Sequence, residues 1–302
     1  MPKAALLERI KRGMFLLDGA MGTQLIARGV DVGTCNDYLN VSSPGIVCDV
    51  HRDYVQAGSD AVITNTFGAN EYALARHGLG EQVADINKAA AQIARRAATE
   101  QRYVLGDIGP SGDFLEPLGR LKADELRDAF ARQAESLLAG GADGLLIETM
   151  TALDEVTIAV EAAKSAGSGL PVLASMSFDK VGDSFKTMMG VGLEDAAAKL
   201  VSLGVEAVGF NCGTATLDEY VALAEKLVSA VSKLSDEVIV FAEPNAGKPQ
   251  QVEDEVLYKV SPEEFAEAAE KIHNAGVSMI GGCCGTSPGH IEAVAKRIRK
   301  TA

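Results

Sequence analysis

The chain of 302 residues contains no tryptophan, and aromatic residues make up only 5% of it. Few aromatic rings leave few surfaces for stacking bases or for enclosing a quaternary ammonium group. Basic residues are also scarce: 28 lysines and arginines stand against 42 acidic residues, and the formal net charge is −14. An acidic surface without a basic stripe repels phosphate backbones and anionic headgroups. We therefore expect neither nucleic acid nor a membrane as a partner.

Long apolar runs are missing too. No stretch reaches the roughly 20 residues that a transmembrane helix needs, and the amino terminus has mixed charge in place of an apolar signal segment. The five cysteines are odd in number, and three of them stand beside glycine. This usage is typical of reduced thiols. The sequence therefore predicts a cytoplasmic protein.

The chain does contain a regular alternation of short apolar runs and longer amphipathic segments. Several runs are continuous in Val, Ile and Leu, which is typical of parallel strands buried on both faces. The predicted strands are Met14–Asp18, Asp60–Thr64, Tyr103–Asp107, Gly144–Glu148, Pro171–Ser177, Ala207–Cys212, Val238–Glu243 and Ser278–Cys283. The predicted helices include Glu81–Glu100, Ala123–Ala139, Asp154–Ala166, Leu217–Lys233 and Pro262–Asn274. Capping signals at Thr216, Ser261 and Ser287 mark three helix starts.

Eight such units in about 300 residues predict an α/β protein, a (β/α)8 TIM barrel, with one domain over residues 1–302. A doubly wound open sheet is the competing topology. It would not return the last strand to the neighbourhood of the sixth. In a barrel, active-site residues lie at the carboxyl ends of the strands.

Polar residues stand at those predicted strand ends. They are Asp18, Asn65, Thr66, Asp107, Glu148, Thr149, Cys212, Asn245, Cys283 and Cys284. The sixth and eighth strands flank the seventh, so Cys212 can meet Cys283 and Cys284, and flanking glycines relax the backbone around the vicinal pair. Three thiolates around zinc leave one position open for the sulfur of a substrate.

Several residues have alternative interpretations that involve neither catalysis nor metal binding. Buried free cysteines are mostly small apolar residues, and we expect this of Cys35 and Cys48. A redox-active vicinal disulfide would leave Cys212 unexplained. Solvated or capping roles are expected for the four histidines, His51, His77, His273 and His290. Core or loop packing is expected for Met176, Met188 and Met189.

Six motifs in order resemble the homocysteine S-methyltransferase family, and most of all the homocysteine-binding module of cobalamin-dependent methionine synthase. They begin with Asp-Gly-Ala-Met-Gly-Thr at 18–23 and Thr-Asn-Thr-Phe at 64–67, and continue with Ile-Glu-Thr at 147–149 and Gly-Phe-Asn-Cys at 209–212. Pro-Asn-Ala-Gly at 244–247 and Gly-Gly-Cys-Cys-Gly-Thr at 281–286 complete the set. The resemblance implies a zinc-dependent methyltransferase of methionine biosynthesis. It implies Cys212, Cys283 and Cys284 as Zn²⁺ ligands and homocysteine sulfur as fourth ligand and methyl acceptor.

An amino acid acceptor must also be held at its other end. We expect Asp18 and Glu148 to bind the ammonium, and the backbone N–H groups from Gly19 to Thr23 to cradle the carboxylate. A capping role for Asp18 and a buried ion pair for Glu148 are the alternatives. Asn245 either fills the open zinc position when homocysteine is absent or bonds to a thiolate.

The methyl donor is the least determined part. The chain ends at Ala302 without cobalamin or folate modules, so we expect a methylcorrinoid on a separate protein that docks over the strand ends. Betaine, S-methylmethionine or another sulfonium is an alternative, but the aromatic residues near the mouth are too scattered for a cage: Tyr38, Phe67, Tyr72, Phe114 and Phe178. A non-catalytic zinc and homocysteine-binding module of a larger complex, or a related thiol acceptor, remains open.

Overall fold

Eight parallel strands form one sheet that is rolled into a barrel in the computed structural model, which describes residues 5–167, 169–252 and 255–299. The strands are β1 Phe15–Leu16, β2 Ala61–Ile63, β3 Tyr103–Ile108, β4 Gly144–Met150, β5 Val172–Met176, β6 Ala207–Asn211, β7 Ile239–Glu243 and β8 Met279–Ile280. From β2 to β8 each strand pairs with the next, and β8 pairs with β1. The predicted (β/α)8 barrel is confirmed. Residues 1–4, 168, 253, 254 and 300–302 of the predicted 1–302 domain lie outside the described residues.

A helix follows each strand and covers the outside of the sheet. These helices are α1 Pro44–Ala57, α2 Val83–Ala98, α3 Ala123–Ala139, α4 Leu153–Ala166, α5 Leu193–Ser202, α6 Leu217–Ser232, α7 Pro262–Asn274 and α8 Pro288–Ile298. Shorter helices are Leu6–Ile10, Met21–Ala27, Leu39–Ser42 and Glu71–Ala75, with 3₁₀ turns at Asn36–Tyr38 and Gly80–Gln82. Two hairpins, Asp179–Val181 with Ser184–Lys186 and Gln250–Val252 with Glu255–Leu257, follow β5 and β7. No helix in the described part of the chain is long and apolar enough to cross a membrane.

The predicted helix starts are confirmed by their hydrogen bonds. Thr216 and Ser261 each form a complete capping box with the glutamate three residues later, which satisfies backbone N–H groups that have no partner within the helix. Ser287 forms the same arrangement with His290, whose Nδ1 accepts from the Ser287 amide at 3.2 Å. The capping role expected of a histidine is therefore confirmed at His290.

The barrel closes between β1 and β2 through side chains as well as the backbone. The Asp60 amide donates to the Leu16 carbonyl at 2.6 Å, and the Asp60 carboxylate accepts from the Leu16 amide at 3.0 Å. Higher in the same seam, Asp18 Oδ2 accepts from the Ile63 amide at 3.0 Å. Half of the Asp18 carboxylate is therefore used to close the barrel.

The barrel interior is apolar at the amino-terminal end and polar at the carboxyl end. Because side chains alternate along a strand, inward positions two residues apart share this interior. Its lower part is filled by Phe15, Leu105, Leu146, Leu173, Phe241 and Met279, all buried. The next inward position along β3, β4, β5, β6 and β7 carries Asp107, Glu148, Ser175, Asn211 and Glu243. The inward-facing positions are therefore apolar and packed in the lower part of the barrel and polar at its carboxyl end.

Two expectations about individual side chains differ from the structure, one of them only in its first alternative. His51 is completely buried within α1, and both of its ring nitrogens lack a hydrogen-bond partner in the described structure, so it is neither solvated nor capping. Met188 and Met189 are exposed on the loop after β5 and do not pack into the core. Met176 is buried as expected.

Candidate active site

Among the described residues, Cys212, Cys283 and Cys284 form a cluster whose sulfur atoms all lie within 4.8 Å of one another. The Cys284 Sγ is 4.0 Å from the Cys212 Sγ and 3.9 Å from the Cys283 Sγ. Tetrahedral zinc with Zn–S bonds of about 2.3 Å requires sulfur atoms about 3.8 Å apart. All three thiols are free. The cluster fits three corners of a zinc site and leaves the fourth open.

Cys212 reaches the cluster because the backbone turns at the end of β6. Its φ is 58°, a left-handed conformation that is uncommon for a residue with a side chain. This conformation breaks the strand alternation, so Asn211 and its neighbour Cys212 both serve the same end of the barrel. Thr149, with φ 61°, does the same beside Glu148. The only other residue with a side chain and positive φ in the described structure is Thr99, outside the site.

The loop that carries Cys283 and Cys284 depends on glycine mainly for space. A Cβ at Gly281 would lie 2.7 Å from the Leu17 Cβ, and one at Gly282 would lie 2.6 Å from the Thr286 side chain. Positive φ occurs later, at Gly285 with 79°. Gly281 therefore permits close approach to the segment after β1, Gly282 permits close approach to Thr286, and Gly285 relaxes the backbone directly after the cysteine pair.

The three thiols titrate as one group. The pKa of Cys212 is lowered, first because Cys283 and then because Cys284 can donate a hydrogen bond to its thiolate. The pKa values of Cys283 and Cys284 are raised, chiefly through the same bonds to Cys212. The opposite directions describe a single negative charge shared among three sulfur atoms. A divalent cation would be needed to ionise the other two.

Three carboxylates of the inward polar positions, together with Asp18 after β1, lie at the same end of the barrel as the sulfur cluster. Burial raises the pKa of Asp18, Asp107, Glu148 and Glu243, that of Glu148 to about 8. In the described structure, one oxygen atom each of Asp18, Asp107 and Glu243 is buried without a hydrogen-bond partner. Unpaired buried carboxylates are costly, and a bound cation removes that cost. The arrangement therefore favours a ligand with a positively charged group.

Two asparagines organise the space between the carboxylates and the sulfur atoms. Asn211 Oδ1 accepts from the Thr149 amide at 2.9 Å and from Ser175 Oγ at 2.8 Å, and its Nδ2 lies 3.9 Å from the Cys283 Sγ. Asn245 Nδ2 donates to the Gly213 carbonyl at 2.7 Å, whereas its Oδ1 is buried and has no partner in the described structure. An orphaned oxygen just after β7, which lies between β6 and β8, is consistent with the expected role of Asn245.

A cavity of about 460 Å³ opens above these groups. The lining includes the three cysteines, Gly19, Thr23, Asp107, Glu148, Thr149 and Glu243, together with Cys35, Asp37, Phe67 and His77 nearer the mouth. Of the predicted site residues, Asp18 and Asn245 are buried outside that lining. Cys35, expected to be an ordinary apolar residue, is half-buried in the wall. Cys48 is buried as expected.

Sequence reasoning missed Glu243 and left Asp107 and Asn211 without a role. The signal that could have identified Asp107 and Glu243 was their spacing along the strand from a core residue that faces the barrel interior. Glu243 lies two residues after Phe241, and Asp107 two residues after Leu105, so each shares the inward register of a core residue. A polar residue in that register at a strand's carboxyl end indicates a site.

The described geometry agrees with comparisons to known proteins. The chain matches the family model described as homocysteine S-methyltransferase over residues 15–298. It is 36% identical to the methionine synthases of Mycobacterium tuberculosis and Mycobacterium leprae over 97% and 98% of its length, and it spans 25% of the length of each. The metallated form of the homocysteine methyltransferase MmuM from Escherichia coli superposes with a TM-score of 0.77 at 26% identity, over 97% of this chain and 99% of that chain. The chain belongs to the homocysteine S-methyltransferase family.

Proposed function

We propose that this barrel methylates the sulfur of homocysteine to give methionine, with Zn²⁺ held by Cys212, Cys283 and Cys284. The observation that carries the proposal is the spacing of the three sulfur atoms, which suits tetrahedral zinc, at the floor of a cavity lined by buried carboxylates. The metallated state of the E. coli relative supports a metal at this centre. Bound zinc would supply a thiolate of homocysteine at neutral pH in place of a protonated thiol.

The residues of the chain orient the acceptor. Glu148, which lines the cavity, is proposed to bind the substrate ammonium directly, and Asp18, buried behind the lining, is proposed to contribute its charge. The ammonium would compensate carboxylates that are otherwise buried without a cation. Asp107 and Glu243 line the same cavity and join this group. The N–H groups of the segment from Gly19 to Thr23, except that of Ala20, which donates to Thr286, are proposed to bind the substrate carboxylate. Thr23 itself accepts a hydrogen bond from the Gly285 amide at 3.1 Å, so its hydroxyl supports the metal loop.

For the donor, we favour a methylcorrinoid carried by a separate protein or module. The methionine synthase relatives, of which this chain spans a quarter, support this donor. A small sulfonium or betaine is the second candidate, because a cavity of about 460 Å³ leaves room beside a four-carbon amino acid. A non-catalytic homocysteine-binding module is the remaining alternative, and a cytoplasmic location remains a prediction from the free thiols.

The test is methyl transfer from free methylcobalamin to L-homocysteine by zinc-loaded and chelator-stripped protein, with methionine measured by mass spectrometry. We expect methionine only with the zinc-loaded protein, and none with a zinc-treated Cys212→Ala control. S-methylmethionine and betaine are offered in parallel reactions to identify the donor.

Homocysteine binding without turnover of any donor would favour the non-catalytic module. If zinc-loaded protein neither binds homocysteine nor forms methionine, the proposed function is wrong.

A further inference from the structure

Thr286 lies between the two loops that bind the opposite ends of the proposed substrate. The segment Gly19–Thr23 follows β1, and the metal loop, defined as residues 281–285, follows β8. Thr286 is completely buried, and its Oγ1 accepts a hydrogen bond from the Ala20 amide at 3.0 Å. The same hydroxyl donates to the Cys283 carbonyl at 2.7 Å. A single oxygen atom therefore bonds to both loops.

The surrounding contacts leave this hydroxyl little freedom. A Cβ at Gly19 would lie 2.6 Å from Thr286 Oγ1, and a Cβ at Gly282 would lie 2.6 Å from Thr286 Cγ2. Real Cβ atoms do not approach so closely, so glycine on both loops lets them close around the threonine. Tyr54, on α1, adds a hydrogen bond from its hydroxyl to the Ala20 carbonyl at 2.9 Å.

We propose that Thr286 is a positioning residue that sets the distance between the metal site and the carboxylate-binding segment. The inference rests on the proposed function. A substrate bound through its sulfur at one end and its carboxylate at the other has a fixed length, so its affinity depends on that distance. Thr286 does not line the cavity and acts through Cys283 and Ala20. The affinity for a thiol without a carboxylate would not depend on this distance.

The experiment compares two thiols on cobalt-substituted protein, in which thiolate-to-metal absorption reports binding directly. L-homocysteine engages both ends of the site, and 1-propanethiol engages the metal alone. Thr286→Val removes the hydroxyl and keeps the shape, leaving the half-buried Ala20 amide without its acceptor. We expect the ratio of homocysteine to propanethiol affinity to fall about tenfold or more. Thr286→Ser, which retains the hydroxyl, should restore the ratio to within about threefold of the unmodified protein.

Tyr220→Phe is the matched control. The Tyr220 hydroxyl donates to the Cys212 carbonyl at 2.7 Å, so this variant also loses one buried hydrogen bond to a cysteine-bearing loop. It does not touch the connection to Ala20, so we expect weaker metal affinity with an unchanged ratio between the two thiols. If Thr286→Val does not fold, Tyr54→Phe tests the same connection from the Ala20 side and should lower the ratio in the same direction.

The possible results separate the two proposals. If the unmodified protein shows no preference for homocysteine over propanethiol, the proposed function and this inference both fail. If that preference is present and survives in Thr286→Val or, should that variant not fold, in Tyr54→Phe, the inference alone is wrong. A fall in the ratio that serine also fails to restore would assign the effect to packing and overturn the role of the hydroxyl.

Discussion

At the scale of single residues, the site depends on two positions where the backbone leaves the strand conformation. Thr149 and Cys212 follow inward-facing Glu148 and Asn211, and their positive φ values turn Thr149 and Cys212 toward the cavity that Glu148 also lines. Such conformations cost of order 1–3 kcal/mol each and persist where surrounding contacts impose them. The Tyr220 hydroxyl, which bonds to the Cys212 carbonyl, is one of those contacts.

Glu148→Gln should weaken homocysteine binding and leave metal binding intact, because glutamine keeps the size of the side chain but cannot form the carboxylate that would pair with the ammonium. A loss of one charge-assisted hydrogen bond predicts about a tenfold weaker affinity or more. Homocysteine titration and metal content measured on the same preparation check this. Cys212→Ala is the opposite control and should lose stoichiometric zinc while the barrel still folds. An unfolded Glu148→Gln protein would instead mean that the residue is structural.

Buried His51 makes a separate prediction about pH. Burial lowers its pKa from 6.5 to about 4. Above pH 6.5 the imidazole is neutral in both the folded and the unfolded protein, so it does not contribute to the pH dependence of stability there. As the pH falls from 6.5 to 4, the unfolded chain binds a proton that the folded protein does not, and stability decreases by up to about 3 kcal/mol.

His51→Leu should therefore flatten the decline in unfolding free energy between pH 6.5 and pH 4, as measured by urea denaturation across that range. At pH 7 and above, the variant should be as stable as the unmodified protein or more so, since two unpartnered nitrogens are removed. Parallel pH profiles for the two proteins would show that His51 does not cause the decline.

At the scale of elements, the loops after the strands are shaped by close backbone approach. Gly285 combines a φ of 79° with a position where a Cβ would lie 2.2 Å from the Tyr258 ring. Gly190, on the loop after β5, has a φ of 83° and nothing within 4 Å of a built Cβ. The two glycines share a backbone conformation and differ in crowding.

Gly285→Ala should therefore distort the metal loop, whereas Gly190→Ala should show only the cost of the left-handed conformation. For the latter we expect a loss of about 1 kcal/mol in unfolding free energy and unchanged metal affinity. For Gly285→Ala we expect metal affinity to fall at least about tenfold, because the tyrosine ring or the loop must move. A chelator competition assay on both variants measures this. Equal metal affinities would show that the loop accommodates the extra atom.

At the scale of the whole molecule, the same hydrogen bond between an acidic side chain and a backbone amide occurs three times around the barrel. An acidic residue just before β2, β4 and β6 accepts a hydrogen bond from a backbone amide at the start of the preceding strand. Asp60 binds Leu16 at 3.0 Å, Asp143 binds Val104 at 2.8 Å, and Glu206 binds Val172 at 2.7 Å. Each acid also pairs with at least one basic side chain. At the amino-terminal end of the barrel, this side-chain hydrogen bond takes the place of a backbone hydrogen bond between strands. Between β1 and β2 it helps to close the sheet.

Asp60→Asn should destabilise the protein by about 2–4 kcal/mol, because Asp60 is the most buried of the three and pairs with Arg9, Arg102 and Arg299. Asp143→Asn is the matched control at an interior strand pair, and it should cost less because the side chain is 23% exposed against 6% for Asp60. Denaturant unfolding of both variants compares the costs. An equal or larger loss of unfolding free energy in Asp143→Asn would contradict a special role for the contact that closes the barrel between β1 and β2.

Periodicity and capping chemistry are local, and so the sequence by itself determined the eight strands, five of the eight barrel helices and the order of the barrel. The bounds of α3 and α7 agree with their predicted ranges, since Gly, Pro and capping residues act within a few positions of themselves. The three cysteines were also identifiable, because a run such as Gly-Gly-Cys-Cys-Gly is a poor sequence for a core.

Only the tertiary structure decided which side chains face one another. Asp107 and Glu243 join the cavity through the shared inward register of a closed barrel. The burial of His51 and the double hydrogen bond of Thr286 depend on elements far apart in the chain. Distances across a barrel follow from closure of the whole sheet, and no local pattern contains them. The sequence therefore determined the chemistry available, and the fold determined which groups can act together.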